Sequence, residues 1–133
     1  MRPFHALGTT TLLFTLALTC AAARATSPRP PSTLPDALSD FVTLLEKDDA
    51  KAASQRWARD AEAEKALTQY WPQLKQCHKD HNYRTWLDKA KTAEKETRDN
   101  ASFTVGGHSY GHVHLVWQKS DAGWRVANVF MCR

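Results

Sequence analysis

The run from Ala101 to Cys132, ASFTVGGHSYGHVHLVWQKSDAGWRVANVFMC, constrains the fold more than any other part of the chain. It holds three apolar stretches separated by glycine-bearing turns. Phe103 and Val105 flank Thr104, and Gly106-Gly107 follows as a turn. Val113, Leu115 and Trp117 alternate with His112, His114, Val116 and Gln118. Asp121-Ala122-Gly123 is a second turn, followed by Trp124, Val126 and Val129-Phe130. The alternation slips at Ala127-Asn128, which predicts a β-bulge. Strands this close pair antiparallel, because a parallel return needs a crossover of about a dozen residues. The chain should therefore end in a curved antiparallel sheet of at least three strands, one face covered and one wet. Burying Trp117 removes more apolar area from water than burying two imidazoles. Val113, Leu115 and Trp117 are thus expected under helices, with His112 and His114 on the opposite, wet face.

Helices should supply that cover, giving an α+β domain. Thr33 is a candidate N-cap, with Asp36 three residues on. Leu34, Leu38, Phe41, Val42 and Leu45 fall on one helical face. Asp49 can cap a second helix from Ala50 to about Asp60, carrying Trp57. Ala61 to Tyr70 is helix-forming in composition, and Pro72 is expected to limit its continuation. Asn82 to about Lys95 reads as a last helix, with Tyr83, Trp86, Leu87 and Ala90 on one face. Five tryptophans suit helices packed on a sheet, each indole N–H seeking a partner when buried.

Met1 to Ala25 has the form of an export signal: Arg2, an apolar run through Leu12-Leu13-Phe14 and Leu16-Ala17-Leu18, then Ala23-Arg24-Ala25. The run is shorter than the ~20 residues a membrane-spanning helix needs. Cleavage after Ala25 leaves 108 of the 133 residues, enough for one small domain. The expected division is a signal over 1–25, a flexible Pro-rich leader over 26–35 and a single domain over 36–133. A periplasmic or secreted location follows. A competing reading has Cys20 lipidated, although Ala17 and Thr19 depart from the usual lipoprotein pattern.

Cys77 and Cys132 remain in the exported chain, and an oxidising compartment favours pairing them. Such a bridge closes a loop of 55 residues and contributes ~4 kcal/mol in the chain-entropy model. Without Arg2 and Arg24, the 18 basic residues fall to 16 against 14 acids, well interleaved. That excludes a concentrated basic patch, and no nucleic-acid partner is expected.

Leu115 to Val129, LVWQKSDAGWRVANV, resembles the final hairpin of the nuclear transport factor 2-like (cystatin-like α+β) superfamily. In that superfamily a strand ends in a charged, glycine-containing turn, followed by Trp and an Arg-Val or Lys-Ile step. Phe41 to Ala50, FVTLLEKDDA, is similar to its first helix, which often ends in an x-x-Asp-x-x-Ala break. The likeness covers the first helix and the last two or three strands and leaves Asp60 to Asn100 unmatched. It implies helices on a curved sheet that forms a cone with a pocket. Some relatives are enzymes, ketosteroid isomerases and polyketide cyclases among them, with an Asp base on or near the sheet and a Tyr or acid opposite. Here Asp121 lies in the turn, so that catalytic pattern does not carry over.

His108, Tyr110, His112 and His114 are the densest polar-aromatic group and the candidate binding residues. His112 and His114, two apart on a strand, share a face. Imidazoles so placed can bind zinc or copper, orient an anion or respond to pH. A solvated strand face has the same spacing, so no metal ligand and no cofactor are assigned. His78-Lys79-Asp80-His81, beside Cys77, reads as a loop. No phosphate loop or dinucleotide fingerprint is present, and no catalytic residue is assigned. The expectation is an exported, non-enzymatic binding module for an unidentified protein or small-molecule ligand, an inhibitor or immunity-type protein being one version. The alternative is a small enzyme using histidine acid/base chemistry in a pocket of the cone.

Overall fold

A computed structural model describes residues 33–96, 101–106 and 112–132. Its elements are α1 (Leu34–Glu46), α2 (Ala50–Trp57), α3 (Ala61–His81), a 3-10 turn (Tyr83–Trp86), α4 (Leu87–Lys95), β1 (Ser102–Val105), β2 (Val113–Ser120) and β3 (Gly123–Met131). The helices start where their caps sit. Thr33 Oγ1 accepts from the Asp36 N–H, Asp49 Oδ1 from Ala52 and Asp60 Oδ1 from Ala63. Each side chain satisfies one of the donors that a helix N-terminus leaves without an intrahelical partner. α1 begins two residues before the expected domain start, and Leu34 is fully buried.

Pro72 does not stop α3, which runs 21 residues through it. Pro72 lies on the exposed face, so the carbonyl it deprives of a partner can turn to water, while Leu67, Trp71 and Leu74 hold the opposite face in the core. The helix therefore takes in Cys77, His78 and His81, and the expected loop there is helical.

The strands form one antiparallel sheet in the order β1-β2-β3. Ser120 faces Gly123 across the tight turn, and the register shifts between Val116 and Trp117. Val116 pairs with Asn128 and Trp117 with Val126, which leaves Ala127 as the bulged residue. The Arg59 N–H donates to the Val126 carbonyl at 2.8 Å, and Ala58 bridges Val126 in parallel, covering part of the β3 edge.

Val113, Leu115 and Trp117 are fully buried against the helices, as the alternation requires. Phe41 stands edge-on to Trp71 at 6.1 Å and to Trp117 at 5.7 Å, and Trp57 meets Trp117 at 5.7 Å. Three indoles that enter this core carry their N–H groups to carboxylates. Trp57 Nε1 donates to Asp40 at 2.7 Å, Trp71 Nε1 to Asp48 at 2.8 Å and Trp124 Nε1 to Glu94 at 2.6 Å. Asp40 and Asp48 belong to α1 and its exit and Glu94 to α4, so each pair ties separate segments at the core's rim. Among the described residues, Trp117 Nε1 and Ser54 Oγ are buried without a hydrogen-bond partner.

Beyond the sheet, Glu46 closes the far end of α1. It accepts from Arg84 Nε at 3.0 Å and Nη2 at 2.9 Å, and His78 Nε2 lies 3.0 Å from its Oε1. His78 Nδ1 accepts the Tyr83 N–H at 2.9 Å, so in the neutral ring the proton is on Nε2, facing Glu46. The Arg84 hydrogen bonds, then that of His78, hold the Glu46 carboxyl down to about 2 from 4.5.

Candidate functional site

The sheet has a second face, opposite the one covered by the core. On it Ser102 and Thr104 of β1 and Asn128 and Phe130 of β3 are exposed, and Val116 and Gln118 of β2 are half-buried. Strand alternation alone puts them there. Phe130 is 40% exposed and is the one large apolar side chain, among the described residues, that stands out into solvent.

His114 lies in the middle of that face, and it is not wet: only 5% of it is exposed. The expectation of a solvated histidine is corrected here, and the register explains why. His114 sits opposite Phe130, whose ring stacks on the imidazole with centroids 4.9 Å apart and planes 12° from parallel. On the other side the chain leaves β1 at Gly106, where φ is +136°, a conformation that L side chains rarely adopt. A Cβ there would lie 2.8 Å from the Val113 carbonyl oxygen and 3.3 Å from His114 Nδ1. Glycine lets the backbone close against the histidine.

Cys132 follows Phe130 by two residues and so returns to the same face. Its backbone N–H donates to the His112 carbonyl at 3.2 Å, and its Sγ lies 2.9 Å from His114 Nε2. Cys77 is elsewhere, half-buried in α3 against the core. Burial, and then Cys77, push the Tyr83 phenol above its ordinary value, which puts that thiol beside the tyrosine. The two cysteines are separate thiols, and the expected Cys77–Cys132 bridge is not formed. One thiol packs on the core side of the sheet and the other turns to the outer face, a placement that cysteine counting cannot see.

Of the candidate binding residues, His112 and His114 are described, while His108 and Tyr110 lie outside the described residues. His112 is half-buried, and its ring lies 4.7 Å from that of His81 at the end of α3. No three His, Cys, Asp or Glu side chains among the described residues converge as a metal-binding group. The sequence signal for the Cys132–His114 contact was the register. Once His114 is set opposite Phe130, Cys132 is its diagonal neighbour.

Helices followed by a single antiparallel sheet make the chain an α+β domain. No helix among the described residues is long and apolar enough to cross a membrane. No family model, curated protein or solved structure matches the chain.

Proposed function

We propose that the protein is an exported binding module that recognises a partner protein with the outer face of its C-terminal hairpin. The observation that carries this reading is the packing of the opposite, helix-covered side. Phe41, Trp57, Tyr83, Trp117 and Trp124 fill the space between helices and sheet, each no more than 2% exposed. A ligand pocket in a cone would need that volume. A depression on α3, lined by Glu64, Lys65, Thr68 and Gln69, is open and holds none of the candidate residues. The outer face offers instead exposed polar side chains with one aromatic anchor, Phe130, which is the kind of surface that protein partners use.

The test is capture from envelope extract by the immobilised mature chain, followed by affinity measurement with the purified partner. Phe130→Glu should weaken binding about 30-fold or more, as loss of an aromatic anchor does. Lys65→Glu, on the far side of the molecule, should bind as wild type does. A partner held equally by both variants, or no saturable partner at all, overturns the reading.

A further inference from the structure

We infer that Cys132 and His114 form a nucleophile–base pair that makes Cys132 a site of thiol–disulfide exchange with low-molecular-weight disulfides of the glutathione type. The pair lies on the same outer face, and its chemistry is read with no partner protein present. Three features carry it. First, a separation of 2.9 Å puts the sulfur within direct proton-transfer reach of Nε2, the range in which a side-chain base activates a nucleophile. Second, the base is fixed. The Phe130 ring stacks on it, Gly106 closes on its Nδ1 side, and the imidazole is 95% withdrawn from solvent. An activated nucleophile needs a base that is itself oriented, and the stacked ring and the close backbone contribute to that here. Third, Cys132 is only half-buried, one residue past the end of β3. Cys77 has no such base beside it in any described contact; its neighbour is the Tyr83 phenol.

The exchange balances within the two reactants. His114 Nε2 takes the proton from Cys132 Sγ. The thiolate attacks one sulfur of the incoming disulfide along its S–S axis. That S–S bond breaks as the Cys132 Sγ–S bond forms, and the departing thiolate recovers the proton from His114. Cys132 is oxidised to a mixed disulfide while half of the incoming disulfide is reduced to a thiol. Rates of such exchange follow removal of the proton from the attacking sulfur and access to it, and a base lies within reach of Cys132 Sγ.

The experiment uses the reduced mature protein and oxidised glutathione, with intact mass and peptide mapping read over time. The Cys132 adduct should form on the order of tenfold faster than any Cys77 adduct. Cys77→Ser should leave the Cys132 rate unchanged, which separates adduct formation from later bridging. His114→Gln should bring Cys132 down to the Cys77 rate and give it the pH profile of an ordinary thiol. Should His114→Gln fail to fold, Phe130→Leu serves: it removes the stacked ring from the base and should slow Cys132 severalfold while sparing Cys77. Equal rates at the two cysteines of the wild type, or a Cys132 rate and pH profile untouched by the folded variant, overturn the inference.

Discussion

Truncating Glu94 should cost far more than its place near the end of a short helix suggests. Its Oε2 accepts from two donors distant in sequence, the Trp124 indole N–H at 2.6 Å and the Leu34 backbone N–H at 2.9 Å. Trp124 is 1% exposed and Leu34 fully buried, so solvent is a poor substitute for the lost acceptor at either. A buried donor left unsatisfied costs about 1–3 kcal/mol, and the Leu34 N–H, at a helix N-terminus, has no intrahelical partner to fall back on. Glu94→Ala should therefore destabilise the domain by about 2–4 kcal/mol. Small domains have about 5–15 kcal/mol in hand, so the variant should still fold. Glu94→Gln keeps an acceptor oxygen and loses only the charge assistance, which puts its cost nearer 1 kcal/mol. Urea unfolding followed by far-UV circular dichroism gives both values, provided the slopes agree. Adding Trp124→Phe removes one of the stranded donors, so the double variant should be more stable than the sum of the singles by about 1 kcal/mol. A Glu94→Ala change within 0.5 kcal/mol of wild type (roughly the scatter of neutral surface changes), or strict additivity with Trp124→Phe, refutes the reasoning.

Pro72 is exposed in the interior of α3, and Pro72→Ala restores a backbone donor without touching the core. The variant should gain about 1–3 kcal/mol in urea unfolding; a loss would show that the proline shapes the helix for its packing. Glu46, with its carboxyl held down to about 2, contributes stability that is whole above its ordinary value of 4.5 and is lost as pH falls towards 2. Its side chain is 43% exposed, so solvent screening limits the contribution to about 1 kcal/mol. Wild type should exceed Glu46→Gln by that amount at pH 6 and converge with it near pH 2; stability–pH curves that stay parallel would rule the ion pair out as the source.

The parts of the fold that were legible in the sequence are those set by local chemistry. Thr33 and Asp49 announce their helices because a short polar side chain before an apolar face has one energetically useful place to be. Ser120 to Gly123 announces its hairpin for a similar reason, and the slipped alternation at Ala127 is the bulge seen from the sequence side. Pro72 misleads because the rule against proline in a helix concerns local cost, and here Leu67, Trp71 and Leu74 outweigh it through contacts made far away in the chain. His114 misleads in a more instructive way. Alternation assigns a residue to a face, and the step from face to exposure assumes that only the helix-covered face is dry. That assumption holds at an edge strand and weakens on β2, which has a neighbour on each side. A central-strand residue opposite an aromatic ring, with a glycine where the next strand departs, is enclosed by its own sheet. The same enclosure brings Cys132 onto the histidine and takes it away from Cys77. Pairing cysteines by count treats them as free to find each other, whereas the register of β2 and β3 sets the side of the sheet that Cys132 reaches and α3 holds Cys77 on the other.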